Sequence, residues 1–523
     1  WTGRYENMNN MRVSTNGGLV TENWFDLNAS RYTASSTLQR MELLKTGYMG
    51  TLSLGWDNYL FLELTGRQER SSTLKDQSFF YPSANLSFLF SNAFRMPAWW
   101  NHGKLRLSYG VVGNAPETYA ANIIYEQGSD NGFTWNYVPS SWGNANIRPE
   151  KKYEYEIGFE SKFLNNRLGF DVSYYNNRVK DQILSTPQPS TSGVKYVLMN
   201  VGEVANEGWD ISVSATPVLT KNFRWDLTAN YGIYRNKVVK LADGVPYLEI
   251  SNIGGGGAKI QAVEGRPMGD IYVQVPQMNE NGEYLVSDKG LYMNQTELQR
   301  VGNINPDGVG GLFSSFSYKN IFLDFSIDFR IGGDVINEMY QYSTASGLTP
   351  ESLQFRDTEH GGLSYYYPGN NNASGVPVQV DPSLGAGPNG ETVYHDGVIL
   401  PGVVASTGEK NTRIIPAGYY YNQTYNWGTQ PEQLTYRHSV FDNSYVKLRE
   451  LTIGYQFPEK LISKLGMTRL SVSVFGRNLF YFYKALKNYD AESSVGTSWA
   501  SQAVVGGSTT ATRNFGVSLR ASF

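Results

Sequence analysis

A strict alternation of apolar and polar residues recurs in many short segments of the chain and constrains its fold more than any other feature. In Ile321–Ile331, apolar residues occupy every odd position, and Asp324, Ser326, Asp328 and Arg330 lie between them. Successive side chains of a β-strand point to opposite faces, so such a segment has one apolar and one polar face. No apolar run approaches the ~18 residues that a membrane-spanning helix needs. The sequence therefore predicts an all-β protein.

We count 13 or 14 strands of this kind. Besides Ile321–Ile331 and the strand that precedes its Lys319-Asn320 turn, they are Thr46–Leu54, Asn58–Arg67, Tyr81–Phe90, Lys104–Val112, Lys152–Phe163, Leu168–Tyr174, Trp209–Ala215, Phe223–Ile233, Tyr445–Phe457, Thr468–Phe480 and Arg513–Phe523. The first 45 residues show little alternation, and we expect at most one strand there. In Tyr445–Phe457 the apolar positions change from even to odd numbers, which predicts a β-bulge near Arg449-Glu450.

The lengths of the connections decide between two explanations of the alternation. A soluble sheet with one solvated face has the same pattern as a membrane β-barrel. Here short turns such as Asn165-Asn166 and Lys319-Asn320 alternate with long connections, and short turns at one rim with long loops at the other are typical of outer-membrane barrels. Soluble domains seldom contain structureless loops of such length. We therefore predict a transmembrane antiparallel β-barrel in the outer membrane, in contact with its lipid. With the C-terminus in the periplasm, the extracellular loops are about residues 113–151, 179–205, 237–307, 332–444 and 481–510.

Composition and motifs argue against several other functions. The net charge of −3 gives no reason to expect a nucleic-acid partner, and the absence of cysteine excludes disulfides and thiolate metal sites. The four histidines lack metal-ligand spacing, and Asn279–Glu283 fits a hairpin turn better than a calcium loop. Gly254–Gly257 lacks the Lys-Ser/Thr that completes a phosphate loop, so we interpret it as a flexible extracellular loop. We find no catalytic motif, and we expect no enzyme activity, no cofactor and no metal. A secreted multi-domain β-enzyme would require a catalytic constellation that we do not find.

Several motifs occur together and in a familiar order. They are LRLSYGVVGN at 105–114, NNRVKDQI at 176–183, ANEGWD at 205–210, GNINPD at 302–307, SYKN at 317–320, RIGGDVIN at 330–337, YVKLRELTIGYQFP at 445–458 and GRNLF at 476–480. In this order, the chain from about Gly47 to Phe523 resembles the barrel of the SusC/RagA family of TonB-dependent outer-membrane transporters from Bacteroidetes.

The resemblance implies a 22-stranded barrel with an internal plug and a TonB box, of which this chain is the C-terminal part with about 14 strands. We therefore expect the plug and the first strands to lie outside residues 1–523. The strand that ends the barrel, Arg513–Phe523, is expected to pair with a strand upstream of Trp1. The resemblance also implies that Phe523 is the terminal aromatic that the barrel-assembly machinery recognises.

The implied function is TonB-dependent active import of a nutrient, either an oligosaccharide or an oligopeptide. The implied partners are a SusD-like surface lipoprotein that acts as a lid, and TonB with ExbB and ExbD, engaged through the N-terminal part of the polypeptide. The alternative is a passive porin or surface adhesin barrel without energy coupling.

Aromatic clusters in the long loops are the candidate contacts for a ligand or the lid. They are Tyr365, Tyr366, Tyr367, Tyr419, Tyr420, Tyr421 and Trp427, with Trp135 and Trp142 in an earlier loop. Aromatic side chains stack on sugars and grip peptides, but they also pack loops together. We expect packing or partner contact for most of them and ligand contact for a minority.

Overall fold

The computed structural model describes residues 1–75, 78–130, 133–426, 432–433, 435–486, 488–507 and 511–523. The chain divides into two compact units, one of residues 1–209 with 236–246 and the other of residues 210–235 with 247–523.

Fourteen strands form one antiparallel sheet in which each strand lies next to its neighbours in the chain. The strand number and the fold class agree with the sequence prediction. The strands are β1 (Thr2–Leu19), β2 (Ser30–Trp56), β3 (Leu60–Ser71), β4 (Ser78–Phe88), β5 (Trp100–Asn114), β6 (Glu150–Phe163), β7 (Leu168–Lys180), β8 (Glu203–Leu219), β9 (Phe223–Lys240), β10 (Gly308–Tyr318), β11 (Ile321–Ile331), β12 (Tyr445–Gln456), β13 (Arg469–Lys484) and β14 (Asn514–Ser522).

The expectation of at most one strand in the first 45 residues holds for β1, but β2, which was expected at Thr46–Leu54, already begins at Ser30. β1 and most of β2 lie there, paired in register from Thr2 with Gly47 to Ser14 with Ser35. Both faces of this hairpin are mixed in polarity, so the alternation that marks the other strands is missing. Backbone hydrogen bonds hold the pair together, and these do not depend on side-chain pattern.

Several strands are longer than their alternating segments. β8 begins at Glu203 rather than Trp209, and β9 continues to Lys240 rather than ending at Ile233. The extra residues are largely polar, because a strand that continues beyond the hydrocarbon no longer needs an apolar face. The loop expected at 179–205 is accordingly shorter and covers residues 181–202.

The two faces of the sheet differ as the alternation predicts. On the apolar face of the second unit, the Trp225 and Phe316 rings stack 5.4 Å apart, and Phe325 lies 6.2 Å from Phe316. On the polar face, Ser315 donates a hydrogen bond to Asp324 at 2.6 Å. The same strands thus form an apolar surface on one side and a hydrogen-bonded surface on the other.

The predicted bulge lies at Arg449. In the pairing of β12 with β11, Leu448 opposes Ile327 and Glu450 opposes Ser326, so Arg449 has no partner across the ladder. The pairing of β12 with β13 shifts at the same position. The extra residue restores the phase, so that Leu448 and Leu451 lie on the same face despite their even and odd numbers.

The long connections are not structureless, contrary to expectation. Their described residues form two four-stranded sheets, two three-stranded sheets and two strand pairs. Their strands are Glu126–Asp130, Phe133–Tyr137, Ser141–Trp142, Ile183–Pro187, Tyr196–Asn200, Tyr247–Ile253, Ala258–Val263, Asp270–Val273, Leu285–Val286, Gln299–Asn303, Asp334–Asn337, Leu363–Tyr366, Val378–Gln379, Val393–Val398, Val403–Val404, Ile415–Pro416, Val440–Asp442 and Val504–Val505.

The tetraglycine is a packed turn rather than a flexible loop. Gly254 has a φ of +57°, and a Cβ atom there would lie 1.8 Å from the hydroxyl of the buried Tyr436. Asn279–Glu283 is the hairpin turn that the sequence indicates, since the Asn279 amide bonds to the Glu283 carbonyl at 2.9 Å.

In the described part of the chain, four α-helices accompany the strands: α1 (Phe90–Ala93), α2 (Glu338–Ala345), α3 (Ala417–Tyr425) and α4 (Glu459–Ile462). Within the described residues, none of the helices has both the length and the apolar character that crossing a membrane requires.

The turn between β10 and β11 provides a test of the hairpin geometry. Lys319 has a φ of +51°, which L-residues with a Cβ adopt at a cost and β-branched residues rarely adopt. We expect K319V to lower the free energy of unfolding in detergent by about 1–2 kcal/mol and K319G to preserve or slightly raise it.

The matched control is Lys221 in the short turn between β8 and β9, which is not among the residues with positive φ. K221V should change stability by less than about 0.5 kcal/mol. Equal losses for K319V and K221V would contradict the argument from backbone strain.

Candidate functional site

A network of charged residues joins the last long connection to the polar face of the sheet. Glu492 of that connection pairs with Lys447 at 2.5 Å and with Arg449 at 2.5 Å, both on β12. Arg449, the bulge residue, also pairs with Asp328 of β11 at 2.5 Å. One guanidinium group therefore joins two strands and a loop.

A second acidic residue of the same loop strengthens the connection. Asp490 accepts a hydrogen bond from the Tyr481 hydroxyl at 2.5 Å and another from the Ala511 amide at 3.2 Å. The Lys447 ammonium lies 4.8 Å from the centre of the Tyr481 ring, a cation–π distance. We call Asp490 and Glu492 the acidic anchor.

The environment of Glu492 keeps its carboxylate charged. Burial alone would raise the pKa of Glu492, but hydrogen bonds from Arg449 and Lys447 outweigh that effect and lower the pKa to about 2. The Lys447 side chain is only 2% exposed. Without Glu492, its charge would remain buried beside the partly exposed Arg449.

The acidic anchor predicts a large effect of one substitution. E492Q leaves Lys447 without its charged partner, and breaking a buried pair in this way costs about 3–5 kcal/mol. We expect faster hydrogen exchange throughout residues 485–507 and a loss of stability of that size. The control is E203Q, which breaks the largely solvated pair with Arg178, in which the arginine is 56% exposed, and should cost less than about 1 kcal/mol. Equal exchange in both variants would contradict a role for the anchor in holding the loop.

Tyr365, Tyr366 and Tyr367 lie in and after a strand of a loop sheet. Tyr365 is 1% exposed, its ring stacks 5.5 Å from that of Tyr394, and its hydroxyl donates to Asp396 at 3.1 Å. Burial and the Asp396 carboxylate raise the pKa of Tyr365 above its usual value. Tyr366 and Tyr367 are half-buried. In this cluster, only Tyr366 and Tyr367 retain surface that a ligand can touch.

Tyr419, Tyr420 and Tyr421 lie on α3. Tyr421 is buried, and its hydroxyl donates to the Glu351 carbonyl at 2.8 Å. The Tyr420 ring lies 4.9 Å from that of Tyr421 and is half-buried, and Tyr419 is 36% exposed. Trp427 lies outside the described residues.

The two tyrosine clusters belong to one folded layer. The strand Val393–Val398 pairs with both Leu363–Tyr366 and Ile415–Pro416, and α3 begins directly after the latter. The shared sheet explains the burial of Tyr365 and Tyr421, which pack the layer together. Sequence reasoning had no signal to separate them from their exposed neighbours.

Trp135 and Trp142 lie in the first unit. Trp135 is 48% exposed on the strand Phe133–Tyr137, and Trp142 is half-buried with its ring 6.3 Å from that of Tyr125.

His438 is half-buried, and no motif in the sequence indicates a role for it. Its ring centre lies 5.4 Å from that of Tyr425 with the ring planes tilted by 32°, and its buried Nε2 atom has no hydrogen-bond partner among the described residues. Burial, followed by the nearby Arg437 charge, lowers the pKa of His438 from 6.5 to about 4.

The lowered pKa of His438 predicts a pH dependence. Between pH 6.5 and about 4, the unfolded segment binds a proton that the folded one does not, so stability is complete above pH 6.5 and falls toward pH 4. The loss amounts to about 3 kcal/mol at most. Hydrogen exchange of residues 435–440, corrected for intrinsic rates, should accelerate over this range in the native protein and change less in H438F. If the corrected exchange rates of the two proteins depended on pH in the same way below pH 6.5, the assignment to His438 would be contradicted. Above pH 7, the exchange rates of both proteins should show the same pH dependence.

The folded connections offer surfaces for binding. Among the described residues, no group of three or more histidine, aspartate or glutamate side chains could hold a metal ion. Aromatic and main-chain surfaces in folded loops can bind a ligand or a partner protein.

The strands of the sheet have one apolar and one polar face, and short turns alternate with long connections between them. This combination defines the class of outer-membrane β-barrel proteins. The chain belongs to the family described as TonB dependent receptor-like, beta-barrel, whose model matches residues 2–271.

Two curated relatives illustrate this membership. TonB-dependent receptor P3 of Formosa agariphila is 22% identical over 494 residues, which cover 86% of this chain and 42% of the relative. TonB-dependent receptor SusC of Bacteroides thetaiotaomicron is 27% identical over 256 residues, which cover 43% of this chain and 24% of the relative. The chain thus spans less than half the length of these two relatives.

The fold also matches solved structures. The RagAB peptide importer in its open-open state superposes with a TM-score of 0.69 at 18% identity, covering all of this chain and 52% of that one. The RagAB peptide transporter gives a TM-score of 0.66 over 92% of this chain and 49% of that chain. The family model, the relative named SusC and the RagAB structures together confirm the SusC/RagA resemblance of the sequence.

Proposed function

We propose that this chain is the C-terminal barrel portion of a transporter that imports a nutrient across the outer membrane with energy from TonB. The observation that carries the proposal is the packed layer formed by alternate connections. The described residues of 247–307, 332–444 and 485–513 contain most of the buried core of the second unit. A passive pore has no need of so much folded protein outside the membrane, whereas capture of a solute does.

The partners follow from the relatives. One relative is named SusC, and two solved structures are described as a peptide transporter and a peptide importer. We therefore propose an oligopeptide or oligosaccharide as ligand, and a SusD-like lipoprotein as a lid on the long connections. TonB, ExbB and ExbD would act through the N-terminal part of the polypeptide. Phe523, which is 82% exposed, would carry the barrel-assembly signal.

Uptake measurements test this proposal. Cells that express the full-length protein should accumulate a labelled oligopeptide or oligosaccharide against its gradient, and cells without it should not. A protonophore or deletion of TonB should abolish the accumulation, because TonB draws on the inner-membrane proton gradient. Uptake that continues unchanged after both treatments would favour the passive porin, and adhesion without uptake would favour the adhesin.

The tyrosines allow a sharper test of ligand contact. Tyr366, Tyr367 and Tyr419 keep exposed ring surface, so their alanine variants should weaken ligand binding by about 1–3 kcal/mol if the rings stack on the ligand. The control is Y365F, which removes only the buried hydroxyl bonded to Asp396 and should leave ligand affinity unchanged. Unchanged affinity in all three alanine variants would assign these rings to packing or to the lid.

A further inference from the structure

The first hairpin of the sheet projects beyond its neighbour. β3 ends where Ser71 pairs with Lys45, but β1 and β2 continue to pair with each other for many more residues. We call residues 5–19 and 30–44 the outer ribbon. Two-stranded ribbons are marginally stable by themselves in water. The outer ribbon therefore needs further support.

Hydrogen bonds at the base of the ribbon show which way its main chain points. The Leu44 carbonyl accepts from the Ser72 amide at 2.9 Å, and the Leu44 amide donates to the Ser72 hydroxyl at 3.0 Å. Two residues earlier in β2, the Glu42 amide donates to the Tyr119 hydroxyl at 3.2 Å. Even-numbered residues of β2 thus point their N–H and C=O groups toward the β3 side, and odd-numbered ones point toward β1.

From Arg40 back to Ser36, no described strand lies against this edge of β2. The main-chain groups of Ser36, Leu38 and Arg40 point outward there, and the ladder between β1 and β2 stays regular up to the pair of Ser14 with Ser35. A strand placed before β1 in the sheet would join the opposite edge of the ribbon. Such a strand could not satisfy these six groups.

A groove lies at the Glu42 end of this unpaired edge of β2. It has a volume of about 810 Å³ and lies beside Glu42 and the Tyr119 ring. Leu44, Leu74, Ala121, Ile123 and Ile124 give it apolar walls, and Lys75 lies among them. Tyr119 itself adopts a φ of +68°, a left-handed conformation that is unusual for an aromatic residue and costs conformational energy.

We propose that the outer ribbon accepts one extended strand of a partner protein, which pairs with Ser36, Leu38 and Arg40 and places apolar side chains in the adjoining groove. This mode of recognition is β-strand addition, in which main-chain hydrogen bonds give affinity and pockets for alternate side chains give specificity. An exposed edge of this kind otherwise invites aggregation.

The chemistry of the edge favours a protein segment over a transported solute. A two-stranded ribbon needs a third strand that stays bound, whereas a solute must leave. Arg40, Glu42 and Lys75 alternate in sign around the edge and groove, which fits an uncharged, apolar strand rather than an acidic or basic one. The inference does not depend on the transport function proposed above.

Hydrogen exchange of individual amides tests the proposal. In native outer-membrane vesicles that contain the full-length protein, the amides of Ser36, Leu38 and Arg40 should exchange about tenfold or more slowly than in the purified protein in detergent. The odd-numbered amides Thr37, Gln39 and Met41 bond to β1 and should be protected in both samples.

Four outcomes would overturn the proposal. The first is fast exchange of the even-numbered amides in the vesicles. The second is full protection in the dilute purified protein, which would mean that the chain covers its own edge. The third is protection that depends on the concentration of the purified protein, which would indicate a second copy. The fourth is protection that disappears when the vesicles are dialysed free of small solutes, which would indicate a ligand.

Two proline variants complete the test. L38P removes an N–H that points to the vacant edge, so the ribbon should keep its internal ladder but lose the protection of Ser36 and Arg40 in vesicles. Q39P removes an N–H that bonds to β1 and should open the ribbon itself, which exposes the odd-numbered amides as well. Retained protection of Ser36 and Arg40 in L38P would overturn the proposal even if Q39P fails to assemble.

Discussion

Every main-chain N–H and C=O group that lies in hydrocarbon must be bonded within the protein, because lipid offers no partner. In the fourteen-stranded sheet each internal strand meets this requirement by pairing with its neighbours in the chain, through turns as short as Lys319-Asn320. The apolar face can then consist almost entirely of side chains such as Trp225, Phe316 and Phe325. The charged residues are left to the opposite face.

The charged face supports structure beyond the sheet. Arg449 occupies a bulge, and this position lets its guanidinium group reach both Asp328 and Glu492. In the regular ladder, the side chain of a residue would point to one fixed face and keep the regular distance from its neighbours. The bulge thus corrects the apolar phase of β12 and at the same time anchors the last long connection.

Much of the fold was predictable because its physical cause is local. Alternation of single residues predicted the strand number, the bulge and the turn at Lys319, since each depends on residues adjacent in the chain. The outer ribbon was missed, because backbone pairing between Thr2–Leu19 and Ser30–Trp56 requires no side-chain pattern. The folded connections were missed for another reason: their sheets join strands far apart in sequence, as in the pairing of Leu285–Val286 with Val403–Val404.

For the candidate site as well, some features were predictable from the sequence and others were not. The sequence by itself determined that the chain is a membrane barrel of antiparallel strands with aromatic-rich loops, because the period of two identifies the strands and the alternation of short turns with long connections distinguishes a barrel from a soluble sheet. Only the tertiary structure decided that Tyr365 and Tyr421 are buried while Tyr419 stays exposed, and that no described strand occupies the even-numbered edge of β2 between Glu42 and Ser36. Burial and edge occupancy depend on which distant segments come to lie alongside a residue, and no local pattern carries that information.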